Sequence, residues 1–167
     1  MLDLGENSLN GYERNCHFRN NGDGTFTDVA HVNDADRVED GRAVVVFDYD
    51  RDGCLDILLR NYRQPAQLLH NRCGGRHWLE VKLVGTTSNR DAVGARVVAV
   101  TGAARQLRVV SAGSGYLSNG SLVQHFGLGA ATRVDRLEIT WPSGLRSELR
   151  DLTADLRVTV TEGAPAP

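Results

Sequence analysis

Asp48-Tyr49-Asp50-Arg51-Asp52-Gly53-Cys54-Leu55-Asp56 places four carboxylates at loop positions 1, 3, 5 and 9 and a glycine at position 6. Hard cations such as calcium take six to eight oxygens at about 2.3–2.6 Å. A loop that turns sharply at a glycine can aim alternate side chains at one point. In this register Asp48, Asp50 and Asp52 are three side-chain ligands, Cys54 lends its backbone carbonyl, and Asp56 closes the shell. Without a cation, each close pair of carboxylates costs about 1 kcal/mol even at the dielectric constant of water. The nonapeptide therefore reads as a calcium loop rather than a solvated acidic turn.

The flanks decide which kind. An EF-hand loop runs to twelve residues, ends in a bidentate glutamate and lies between helices. Position 12 here is Leu59. Ala43-Val44-Val45-Val46-Phe47 before the loop is apolar and largely β-branched, and Leu55, Ile57 and Leu59 alternate after it. Both flanks predict strands. The loop is a strand–loop–strand site.

Further along, alternating segments predict more strands at 77–84, 95–100, 106–110, 134–141 and 156–161, with Trp78 or its neighbours facing a core. Pro142-Ser143-Gly144 predicts a tight turn. Upstream, Asn21-Gly22-Asp23-Gly24 supplies the positive φ angles of a hairpin over residues 17–29, which accounts for Asn21 and Asp23 without a metal. Residues 60–76 predict a linker, and 163–167 a frayed tail. The fold class is all-β, with a calcium-binding β unit packed on a small sandwich or barrel. Boundaries are expected at 1–75, 76–162 and 163–167.

Composition narrows the function. The 167 residues carry a net charge of −2, with one lysine, Lys82, among 19 basic residues. This excludes a general nucleic-acid binder, which would show a basic face. No stretch approaches the 18 apolar residues of a membrane span. The start at Met1 lacks a basic and then apolar leader, so a cytoplasmic location is expected if Met1 is the true start, and an extracellular one otherwise. Cys16, Cys54 and Cys73 match no zinc spacing. Three free thiols in a reducing compartment are the simplest expectation, with one bridge left open.

Other candidate chemistry is sparse. The five histidines, His17, His31, His70, His77 and His125, have no paired metal spacing, and no serine lies in a G-x-S-x-G setting. Asp48 and Asp50 held by calcium would not serve as an acid–base pair. Arg90-Asp91 is expected as a surface ion pair. The glycine- and hydroxyl-rich loop Ser111–Ser121 is mainly a long β-connection. As a low-ranking ligand site, Ser114, Tyr116, Ser118, Asn119 and His125 could cradle a glycan or other small polar molecule.

Two segments resemble known families. Phe18–Val29 together with Asp48–Asp56 resembles one FG-GAP/VCBS repeat, the blade of integrin-α-like propellers. The run from His77-Trp78-Leu79 through Ser88–Arg96, Ser114–Ser118, His125-Phe126-Gly127-Leu128-Gly129 and Trp141-Pro142-Ser143-Gly144 resembles an ASPIC/UnbV domain. The resemblance implies calcium in the aspartate loop and a non-catalytic binding or assembly role. The alternative it implies is an accessory enzyme or binding protein in enediyne- or polyketide-like biosynthesis. A single blade cannot close a propeller. It is expected to lay its apolar face on the second domain or on another copy, which makes a protein partner or homo-oligomer the expected company.

Overall fold

The computed structural model describes residues 13–113, 115 and 117–164. These residues form twelve strands: β1 (Phe18–Asn20), β2 (Phe26–Asp28), β3 (Gly41–Phe47), β4 (Asp56–Asn61), β5 (Gln67–Leu69), β6 (His77–Val84), β7 (Arg96–Thr101), β8 (Ala104–Val109), β9 (Gln124–Gly129), β10 (Arg133–Thr140), β11 (Arg146–Thr153) and β12 (Leu156–Thr161). No helix occurs among the described residues. The strands form four small sheets, β1-β2, β3-β4-β5, β12-β6-β9 and β11-β10-β7-β8, none closed into a barrel. The all-β expectation holds. The sandwich-or-barrel choice resolves to two facing sheets. The candidate ligands Ser114 and Tyr116 lie outside the described residues, as do residues 165–167 of the expected tail.

Alternation explains the sandwich. Leu79, Val81 and Leu83 of β6 and Phe126 and Leu128 of β9 point inward from one sheet. Val97 and Ala99 of β7, Leu137 and Ile139 of β10, and Leu149 of β11 meet them from the other. Trp141 closes the end of this core, 2 % exposed, with its indole N–H donating to the Ser147 hydroxyl at 2.9 Å. Residues 78, 80 and 82 of β6 consequently face outward. Trp78 is one of these, so of the tryptophan and its neighbours it is Leu79 that faces the core. Strand β12 joins β6 in parallel, Leu156 opposite Leu79 and Val160 opposite Leu83.

The end of β12 is fastened by a buried carboxylate. Glu162 is 2 % exposed and accepts from the backbone N–H groups of Thr86, Thr87 and Ser88 at 2.7–2.9 Å. The hydroxyls of Ser88 and Ser143 complete the cradle. One side chain thus ties the turn after β6, the Pro142-Ser143-Gly144 turn and the C-terminal strand. Sequence reading did not single it out.

In the N-terminal sheets, the β1–β2 hairpin turns as its sequence requires. Gly22 and Gly24 have φ of +84° and +89°, and Asp23 accepts from the Thr25 amide and hydroxyl. Strand β3 pairs β4 antiparallel, with Val45 opposite Leu58 and Phe47 opposite Asp56. The acidic loop joins them. Its tip lies on the outward face of β6 and β9. Gly53 has φ of +87°, and a Cβ there would fall inside the Trp78 indole. The Trp78 ring stacks on His125, with centroids 6.4 Å apart and planes 12° apart, and His125 Nε2 donates to the Gly53 carbonyl at 2.9 Å. Residues 60–76, expected as a linker, also contain the short strand β5.

Two outcomes follow for stability. Burial alone would raise the Glu162 pKa, but the Ser143, Ser88 and Thr86 hydrogen bonds outweigh it and hold the carboxyl down at about 2. An unfolded glutamate titrates near ~4.3. The folded value is the lower, so this stabilisation is complete above the unfolded value and is lost as pH falls from there through about 2. In thermal melts, Glu162→Gln should lower Tm at neutral pH, and its gap to the parent should narrow as the pH is taken down through that window. Separately, Gly53→Ala should destabilise by roughly 2–3 kcal/mol, a Tm drop of about 5–10 °C, from the φ strain and the Trp78 clash together. A melt unchanged in Gly53→Ala would show that the loop does not rest on Trp78.

Candidate metal centre

The loop is shaped by its own carboxylates. Asp48 accepts from the Arg51 amide at 2.7 Å with one oxygen and from the Gly53 amide at 2.9 Å with the other. Asp50 and Asp52 each accept from an amide two residues on, those of Asp52 and Cys54. These are the local turns that aspartates form readily. Arg51 is held at φ of +67°, so a left-handed arginine precedes the left-handed glycine by two positions.

Asp56, the first residue of β4, is fully buried. Its oxygens accept from the Tyr49 amide at 3.0 Å and the Asn71 amide at 2.8 Å. Among the described residues no arginine or lysine pairs with Asp48, Asp52 or Asp56. Among the described residues the one ion-pair partner of the loop's aspartates is His70, whose Nε2 lies 3.1 Å from Asp50 Oδ2. A buried carboxylate is ordinarily paired or bound to a metal. Two backbone N–H groups solvate Asp56 but do not neutralise it.

Carboxylate oxygens of Asp48, Asp50 and Asp56 come within 4.8 Å of one another, and these acidic groups could hold a metal ion. Asp52 falls in a second group of the same compactness with Asp50 and His70. Of the five residues expected from the sequence, three converge directly. Asp52 is linked to them through Asp50, and Cys54 has a further role as a disulfide partner. The convergent donors are all oxygens, which suits a hard cation. His70, lying after β5, was not in the expected set. Its signal, a lone histidine in a polar linker, carries no spacing relationship to the loop.

Cys54 is bonded to Cys73, their Cα atoms 5.6 Å apart, while Cys16 is free and exposed. This corrects the expectation of three free thiols. The pairing was illegible because a 19-residue separation matches no framework pattern. Closing a loop of that length restricts the unfolded chain by about 3 kcal/mol. With the His70–Asp50 and Asn71–Asp56 contacts, the bridge fastens residues 70–73 along the acidic loop.

The other candidate ligand residues are dispersed. The Ser118 hydroxyl accepts from the Val44 amide at 3.0 Å, covering part of the open edge of β3. Asn119 lines a cleft of about 510 Å³ between the β3–β4 sheet and residues 119–123, floored by Glu80 and Arg157. Glu80 is 5 % exposed and takes both Arg157 Nε and Nη2, at 2.6 and 2.5 Å. His125 lies in a different basin, of about 410 Å³. The described members of that set therefore share no single pocket. Arg90 and Asp91 are exposed and 3.9 Å apart, a pair of little energetic consequence.

Residues 7–59 match the family model of the FG-GAP-like repeat, and residues 85–167 match that of ASPIC and UnbV. Cartilage acidic protein 1 of Mus musculus and of Homo sapiens are each 37 % identical to the chain over 124 residues, covering 70 % of it. The Xenopus tropicalis protein is 38 % identical over the same length. The chain spans only 18–19 % of the length of these relatives. Among the described residues no helix is long and apolar enough to cross a membrane. The acidic loop thus lies within the last residues of one matched segment, and the tryptophan it rests on lies shortly before the other. The chain carries an FG-GAP-like repeat followed by an ASPIC and UnbV domain.

Proposed function

We propose that this chain is a non-catalytic binding module in which calcium fixes the acidic loop and, through it, the seating of the repeat on the ASPIC/UnbV sandwich. The observation that carries this reading is Asp56: a fully buried carboxylate converging with Asp48 and Asp50 and lacking a cationic side chain among the described residues. Asp48, Asp50 and Asp56 would hold the ion, with Asp52 and the Cys54 carbonyl as further oxygens of the same loop. The ion supplies positive charge that cancels the mutual repulsion of the aspartates. FG-GAP-like repeats typically bind calcium, which supports the same assignment.

The partner is a protein on this reading. Val44 and Val46 remain 45 % and 46 % exposed on β3, and Leu68 41 % on β5, so the repeat keeps apolar surface that a further repeat, a second copy or another protein would cover. The blade assignment belongs to this proposal too, with the β3-β4-β5 sheet as its body and β1–β2 as its companion hairpin. The Cys54–Cys73 bridge supports an oxidising, extracellular-type compartment.

Metal that binds only the folded form adds about 2.7 kcal/mol at a hundredfold excess over Kd. EDTA should therefore lower the Tm of the full chain by roughly 5–10 °C, and calcium should restore it. Asp56→Asn should fold with a lower Tm that no longer responds to either. A melt indifferent to EDTA, with no calcium in the purified protein by elemental analysis, would overturn the proposal.

A further inference from the structure

A basin of about 410 Å³ opens where the segment after β5, the strands β8 and β9 and the tip of the acidic loop meet. Arg76, Arg108, His77 and His125 line it together with the neutral donors Asn71 and Gln106, and no aspartate or glutamate does. This is unusual in a chain whose net charge is −2. The one carboxylate that reaches the lining is Asp155, 2.7 Å from His77 Nδ1.

Neither arginine is neutralised. Arg108 is half-buried, and its guanidinium donates only to uncharged oxygens: the His125 carbonyl at 3.1 Å, the Leu107 carbonyl at 3.0 Å and Gln106 Oε1 at 3.4 Å. It lies over the Phe126 ring, 5.2 Å from the centroid. These contacts fix its orientation without supplying a counter-charge. Arg76 is exposed and enters no ion pair or side-chain hydrogen bond among the described residues. Gly127 and Gly129 have open space where a side chain would stand, which leaves the floor of the basin clear. Cation-lined concavities with low-dielectric walls concentrate anions, and arginine matches carboxylate and sulfate geometry in a bidentate manner.

We infer that this basin binds an oxyanion-bearing, hydroxylated small molecule of about disaccharide size, its carboxylate or sulfate group flanked by Arg76 and Arg108. The volume falls within the range of small-molecule sites and exceeds what a bare inorganic ion needs. Leu55 and the disulfide are its main apolar lining, so hydrogen bonds from Asn71 and Gln106, rather than burial of apolar surface, hold the rest of the ligand. The site does not use the aspartate oxygens of the loop and stands apart from the metal proposal.

Isothermal titration of the full, calcium-supplemented chain at constant ionic strength tests it, with a trisulfated heparin disaccharide, sodium sulfate and sucrose as probes. The disaccharide should bind saturably at one site, sucrose should give no saturable heat, and Arg76→Ser should weaken binding by about tenfold or more without moving Tm. Arg108→Gln should weaken it as well, read alongside its melt because that side chain also packs on Phe126. Sulfate competing with an affinity near that of the disaccharide would assign the site to the oxyanion alone, and a disaccharide preference above about tenfold would assign it to the saccharide. No saturable binding of either anion, sucrose binding as tightly as the sulfated disaccharide, or wild-type affinity in Arg76→Ser, would overturn the inference.

Discussion

The contact between Gly53 and the Trp78 indole is the constraint on which the arrangement of this chain depends. The ASPIC/UnbV sandwich has its own core, a cluster of sixteen buried apolar residues that runs from Leu79 to Val160. The N-terminal sheets have no comparable core. Among the described residues their buried apolar side chains are Ala30, Ala35, Cys54 and Leu59. So small a core cannot offset the entropy of ordering its strands. The repeat must gain stability from its surroundings, and it meets them at the acidic loop as well as at the Val44–Ser118 contact. A glycine is required at the meeting point twice over, by its φ and by the absence of room for a Cβ.

Three restraints converge on that loop from different directions. The His125 imidazole holds the Gly53 carbonyl from the sandwich side. The Cys54–Cys73 bridge and the Asn71 amide hold it from the segment leading into β6. The proposed cation would hold it from within. Magnitudes separate their roles. The bridge acts mainly on the unfolded chain, at about 3 kcal/mol. The cation contributes a similar amount only at concentrations well above its Kd. Metal and disulfide would therefore be comparable stabilisers, one sensitive to chelation and the other to reduction.

Much of this was legible in the sequence, and the reasons are local. Period-2 alternation marked β6, β7, β10 and β12 because each has one face in the core. Asn21-Gly22-Asp23-Gly24 marked its hairpin because only certain residues adopt those backbone angles readily. The convergence of Asp48, Asp50 and Asp56, a candidate cation site, could be anticipated because their spacing is dictated by one short loop. What was illegible is long-range. Nothing in the sequence pairs Cys54 with Cys73 or places His70 beside Asp50. The Glu162 cradle joins residues more than seventy positions apart. Trp78 carries the plainest lesson: in an alternating strand a tryptophan suggests a core, whereas here the bulge between His77 and Trp78 and the parity of β6 turn it toward a glycine in the loop between β3 and β4.

Hydrogen exchange on the full chain, with and without calcium, tests most directly whether the acidic loop joins the repeat to the sandwich. Calcium should slow exchange in residues 48–56 and, beyond them, in the segments of β6 and β9 that carry Trp78 and His125, because the loop rests on both. Protection confined to the loop, with β6 and β9 exchanging at the same rate in EDTA, would contradict the account.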